Sequence, residues 1–290
     1  MKKFLMKCKE YIPFALYVPA VIWQILFLGI PVAIMLYFAF GQGGGAPWYH
    51  FTTQHFRDIF DVLHVKILLR TVYISLLVAL ICLCISFPVA YYVAIHVHER
   101  WKNVFLFFLT LPFWTSFLVQ MYSWFFLLDR YGLINMVLLR MGIISEPISM
   151  IYNMPAVTLV TVYCYMPFMV LPLYNSIEKL SSDYVEASMD LGASWIATFW
   201  HITIPLCAEG IKTGFLLVLV PVFGEFAIPS LIGGGKYMFA GSLMSHYILV
   251  VRNIASGAAF TLTSAGTLLV IIVAIFCIPR IGIYLKRRLL

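Results

Sequence analysis

Of the 290 residues, 63% are hydrophobic and only 11% charged, against roughly 25% charged in ordinary soluble domains. With a mean hydropathy of +0.97, a water-soluble fold is excluded, because a single core of this length would leave many Leu, Ile, Val and Phe side chains exposed. The net charge of +7 comes from sparse Lys and Arg that flank apolar runs, which points to membrane anchoring and excludes the basic, aromatic-interleaved face of a nucleic-acid binder.

A helix needs about 20 mostly apolar residues to cross a bilayer. Six windows qualify, at about 13–40, 68–95, 103–128, 153–175, 208–232 and 258–284. They define an all-α membrane domain over 13–284, with a tail at 1–12 before it and a basic tail at 285–290 after it. The first window follows a basic start, as a secretory signal does, but it far exceeds the roughly 7–15 apolar residues of a signal core and reads as an uncleaved span. With the chain starting inside, twelve of the 19 Lys and Arg fall on the cytosolic side and seven outside, so both termini are predicted to be cytosolic. None of the six cysteines falls in an outer segment, so no disulfide framework is expected.

The first outer segment, 41–66, opens with the flexible run Gly41-Gln42-Gly43-Gly44-Gly45-Ala46-Pro47 and continues into a short amphipathic helix near 53–65. The turn His96-Val97-His98-Glu99 reads as a polar connection or, by its alternating His, as a metal site. The second outer segment, 129–152, carries Leu133, Ile134, Val137, Leu138 and Met141 at helical spacing, stopped by Gly142 and Pro147. Prolines 88, 112, 167, 172, 221 and 229 lie inside spans, where breaks are tolerated if protein or a wet cavity satisfies the freed backbone. Gly233-Gly234-Gly235-Lys236 lacks the spacing of a phosphate loop, and the Gly-x-Gly at 41–43 lacks a dinucleotide-binding strand and helix. The chain therefore has to borrow any ATP-derived energy from a partner.

The connection at 176–207 parses as two short helices around a glycine. Asp183 caps the first, with Glu186 three positions on as in a capping box. Gly192 ends that helix in the left-handed conformation, and Ser194 caps the second, which stops at Pro205. Tyr184, Ala187, Ser188 and Leu191 share one face, suited to a groove on another protein. Taken alone, the helix also reads as an ordinary interfacial helix with a glycine stop.

Glu186-Ala187-Ser188, three residues, Gly192, nine residues, then Ile202-x-Ile204-Pro205 resembles the EAA loop of permease subunits of ABC importers. Ser188 and Ile204 replace the family's second Ala and its Leu. Segments 111–116, 166–174, 177–180, 190–194 and 224–229 extend the resemblance over most of the chain, toward permeases of spermidine/putrescine importers. Glu209 stands where such permeases often carry Pro. The resemblance implies a type I, MetI-like fold of six transmembrane helices in the bacterial cytoplasmic membrane. It also implies a second permease subunit, two copies of a cytosolic ATPase and an extracytoplasmic substrate-binding protein. Asp183, Tyr184, Glu186, Ala187, Ser188, Asp190, Leu191 and Gly192 would then form the ATPase-coupling helix, with ATP and Mg used by the partner and no cofactor on this chain.

A polyamine carries ammonium groups on an apolar stem, so its path calls for sparse carboxylates and aromatic faces that attract the cation and still release it. Glu225, ionisable within an apolar span, reads as that carboxylate or as a structural hydrogen bond to another helix's backbone. Asp129 sits at the outer mouth or pairs with Arg130. Trp114, Tyr122 and Trp124 line the path or join the aromatic belt at the interface. The alternatives are a related permease for an amino acid, sugar or metal chelate, a secondary transporter, and a membrane enzyme. The second calls for an inverted repeat with paired broken helices, and the third for a nucleophile–base or metal cluster; the sequence displays neither.

Overall fold

The computed structural model describes residues 17–41, 51–180 and 182–288, with side chains placed for 17–41, 51–180 and 183–277. The tail at 1–12, the glycine-rich run from Gln42 to Pro47 and the side chains of the basic tail at 285–290 lie outside the described residues. An unpaired backbone group in lipid costs several kcal/mol, so an apolar chain that does not close a barrel must be helical. Among the described residues the only β pairing is the isolated bridge of Gly41 with Phe51. In chain order the helices are α1 (Tyr17–Phe40), α2 (Gln54–Ile59), α3 (Val62–Ile95), α4 (Glu99–Trp114), α5 (Phe117–Leu128), α6 (Leu133–Arg140) and α7 (Met154–Glu178). There follow α8 (Ser182–Asp190), α9 (Trp195–Leu206), α10 (Ala208–Phe223), α11 (Ala227–Leu231), α12 (Ala240–Val250) and α13 (Ile254–Arg288).

Helices α1, α3, α7 and the Ile254–Cys277 part of α13 are each long and apolar enough to cross a bilayer. Two bent helix pairs meet the same length and composition only when taken together, with an angle of 89° between α4 and the Phe117–Arg140 stretch and of 66° between α9 and α10. The described residues thus hold four such spans, or six where each pair counts as one. The helix expected over 53–65 is divided. Phe60 N donates to Arg57 O at 3.1 Å and closes α2, and Val65 N donates to Asp61 O at 3.2 Å as α3 begins. The helix that carries the second apolar window, 68–95, therefore starts at Val62. Prolines 88, 167, 172 and 221 stay inside continuous helices. Breaks follow three residues after Pro112 and Pro221, at Thr115 and Gly224, and two after Pro205, at Cys207 between α9 and α10.

The chain forms two units. In the unit of Met1–Val65 and Met244–Thr267, Phe40 stacks on Phe51 at 5.1 Å, and His64 Nε2 is hydrogen-bonded to the Tyr247 hydroxyl at 2.7 Å. In the unit of Lys66–Leu243 and Leu268–Leu290, α7 is the axis, burying Val157, Val160, Met169, Val170, Leu173 and Ile177. Helix α10 lies directly against it. A methyl group on Gly210 would stand 2.4 Å from Ser176 Cβ, and one on Gly214 would stand 2.8 Å from Met169 Sδ. Lipid tails are as apolar as Leu, so helix pairing in a membrane relies on such close approach through small residues. Helix α3 joins α7 through the Cys82 thiol, which donates to Val162 O at 3.7 Å.

Candidate functional site

Between α7 and α10 the chain makes a hairpin of α8 and α9. Helix α8 starts at Ser182, so Asp183 lies in its first turn instead of capping it, where its charge suits the helix dipole. The helix closes in a Schellman motif: Gly192 N donates to Met189 O at 2.9 Å and Ala193 N to Ser188 O at 3.1 Å. Gly192 takes φ +85°, a conformation that costs glycine little. Ser194 caps α9, accepting from Ala197 N at 3.3 Å.

Ser188 is turned inward. Its Oγ shares a 2.9 Å hydrogen bond with Thr198 Oγ1, and both residues are buried, so the pair clamps the two arms together. Ser188 thus leaves the outward face expected for it, because the second arm of the hairpin supplies a partner that the first arm alone does not reveal. Tyr184, Glu186, Ala187, Asp190 and Leu191 remain exposed, Leu191 at 89%. On the inner side Phe199 stands edge-on to Phe87 of α3 at 5.5 Å and stacks on Trp195. Nearby, Lys102 of α4 pairs with Glu99 at 2.6 Å and lies 3.9 Å from Glu178 at the end of α7.

The second interruption lies at 224–226, between α10 and α11, and Glu225 fills it. Its Oε1 accepts from Ala227 N at 2.8 Å and from Ile228 N at 3.3 Å. Its Oε2 accepts from the Tyr165 hydroxyl of α7 at 2.6 Å. The carboxylate thus satisfies backbone amides, as the structural alternative anticipated, although the helix served is the next one in its own chain. A carboxylate offers about four acceptor positions, and three donors leave one open on Oε2. Glu225 is 9% exposed, and among the described residues no cationic side chain lies within 4.0 Å of it. A methyl group on Gly241 would stand 2.2 Å from Gly224 O, so the start of α12 packs directly on this break.

At the break after α4, the Pro112 carbonyl accepts from Thr115 N at 3.1 Å, from Thr115 Oγ1 at 2.7 Å and from Gln120 Nε2. Gln120 Oε1 in turn accepts from the Cys164 thiol at 3.6 Å. Both interruptions therefore bond to consecutive residues of α7, Cys164 and Tyr165. Gln120 and Tyr165 are absent from the sequence-based site. Their signal was present, since each is a polar group inside an apolar window close to a proline.

The other expected path residues stand apart from this arrangement. Asp129 ends α5 by accepting from Tyr131 N at 3.2 Å, and among the described residues it makes no ion pair with Arg130. Trp114 is 81% exposed and Tyr122 is also exposed, whereas Trp124 packs edge-on to Tyr163 at 5.1 Å. His98 caps α4 by accepting from Arg100 N at 3.4 Å, and His96 stacks on Tyr92 at 5.6 Å.

Residues 86–289 match the model of a family described as binding-protein-dependent transport system inner membrane component. The chain is 34% identical over 268 residues to the spermidine/putrescine transport system permease protein PotB of Haemophilus influenzae, covering 92% of each. It is 36% identical over 243 residues to the protein of that name from Escherichia coli K12, covering 83% of this chain and 88% of the other. Among solved structures it resembles a chain of a bacterial ABC transporter involved in the import of the acidic polysaccharide alginate. There the TM-score is 0.75 at 18% identity, with 97% of this chain and 99% of that one covered.

Proposed function

This chain belongs to the family of binding-protein-dependent transport system inner membrane components, and from that membership we propose that it forms half of the path by which an ATP-driven importer takes up polyamines such as spermidine and putrescine. It is a multi-pass inner-membrane permease subunit with the all-α fold of ABC importers. The observation that carries the coupling role is the clamped α8–α9 hairpin, rigid on its inner side and presenting Tyr184, Ala187 and Leu191 outward. A socket on a cytosolic ATPase covers that face. Both termini and the hairpin lie in the cytosol on this reading, following the excess of Lys and Arg. A second permease subunit completes the path, two ATPase copies bind ATP and Mg, and an extracytoplasmic binding protein delivers the solute.

Closure of the ATPase pair displaces the hairpin. The motion passes through Phe199 to Phe87 and α3, and through the 66° elbow between α9 and α10 to the break at Glu225. The polyamine assignment is supported by the relatives and by a carboxylate in an apolar stretch that, among the described residues, keeps an acceptor position open and has no cationic side chain within 4.0 Å. The solved neighbour imports an acidic polysaccharide, a cargo of opposite charge, so the shared fold leaves the choice of solute to side chains along the path.

The test is uptake by proteoliposomes holding this chain with its co-purified subunits and binding protein. Labelled spermidine or putrescine should accumulate only with ATP inside, and an excess of amino acids or sugars should not compete. Uptake that needs no ATPase, or that is insensitive to polyamine competition, refutes the proposal.

A further inference from the structure

The two oxygens of Glu225 are held in unequal ways. Oε1 is fixed by two amides of its own chain, which cannot turn elsewhere. Among the described residues Oε2 accepts a single donor, the Tyr165 hydroxyl, and that donor comes from a different helix. A phenol is neutral, and its proton rotates about the C–O bond. An ammonium reaching Oε2 therefore meets a carboxylate whose charge is already partly engaged by a donor able to yield.

We propose that Tyr165 sets how tightly the transport path holds a substrate ammonium, occupying Oε2 when no cation is present and giving it up when one arrives. The inference rests on Glu225 being the carboxylate that meets a cationic solute. A bare carboxylate in a low-dielectric span would bind an ammonium tightly and release it slowly, and transport requires binding weak enough to leave. The placement of Tyr165 makes the restraint sensitive to conformation. It sits on the axial helix α7, beside Cys164, which holds Gln120 of α5, and its ring is tilted against Phe168 at 6.0 Å. Movement of the 224–226 break relative to α7 separates the hydroxyl from the carboxylate and so changes cation affinity as the path changes state.

The experiment uses the assembled permease–ATPase complex, with binding of labelled spermidine measured in the absence of the binding protein and ATP-driven uptake measured with it. Tyr165→Phe keeps the ring and removes the hydroxyl. Loss of one hydrogen bond to a charged group corresponds to about a tenfold effect, so spermidine should bind about tenfold more tightly while maximal uptake slows by a similar factor. Tyr165→Leu, which also lacks a donor, should give the same opposed changes. Equal affinity, weaker binding, or no binding by either the parent or the variants overturns the proposal. Glu225→Gln separates the two layers of argument. If it leaves spermidine binding intact, the reading of Glu225 fails and the inference with it. If it abolishes binding while Tyr165→Phe changes nothing, only the role of Tyr165 is lost.

Discussion

The hairpin at α8–α9 and the break at 224–226 both interrupt helices, yet they dispose of their groups in opposite ways. The hairpin satisfies its backbone locally and leaves apolar side chains, Leu191 above all, facing outward. The break buries its one charged group and satisfies it with backbone amides and a hydroxyl from another helix. On the proposed function the first is a surface that another protein completes, and the second an interior site that a small cation completes. On the same proposal water explains the difference, because a hairpin in an aqueous compartment can leave polar groups to solvent, whereas a polar group in lipid has to find its partner within the protein.

The comparison breaks most visibly at the hairpin. Leu191→Asp places a charge where the socket is expected to be apolar, and central interface residues cost about 2 kcal/mol or more when altered. Co-purification of the ATPase should fall roughly 30-fold or more, with uptake lost and helix content by circular dichroism unchanged. Retention of the ATPase would remove the hairpin from the interface. Next in size, Glu225→Gln keeps an acceptor for the amides of Ala227 and Ile228 but removes the charge. Polyamine uptake should drop about tenfold or more, the scale of one charge-assisted interaction, while ATPase co-purification holds. Simultaneous loss of both would show that the two regions are not separable in this way.

Two smaller effects sharpen the contrast. Gly241→Ala pushes a methyl group into the Gly224 carbonyl, an overpacking worth about 1–3 kcal/mol. The thermal midpoint of the purified complex should fall by several degrees, and crosslinking from Ala187 to the ATPase should persist. Ser188→Ala restores the family's usual residue yet strands the buried Thr198 hydroxyl, at a cost of about 1 kcal/mol. Hydrogen exchange at the amides of Leu191, Gly192 and Ala193 should quicken, and adding Thr198→Val should reverse most of the change.

Much of the hairpin was legible because its determinants are neighbours in sequence. Gly192 closes a motif whose bonds span three to five positions, and Ser194 caps the residues that follow it. The inward turn of Ser188 was not legible, since its partner Thr198 belongs to the other arm. At the membrane break, Glu225 stood out as a lone carboxylate in an apolar run, but Tyr165 lies 60 positions away, and only the packing of α10 on α7 brings the two together. The glycines that allow this packing, Gly210 and Gly214, stand four apart in the sequence, a spacing associated with close helix pairing.

By itself the sequence determined that the chain crosses a membrane as helices and that the 176–207 connection folds into a capped hairpin. Apolar length, charge bias and helix caps act over a few turns of one helix, so they can be read along the chain. Tertiary structure alone decided which way Ser188 faces, where the spans break, and which hydroxyl holds Glu225. Those outcomes depend on which helices lie side by side, because a polar group in lipid is satisfied by whatever packing brings within hydrogen-bonding reach.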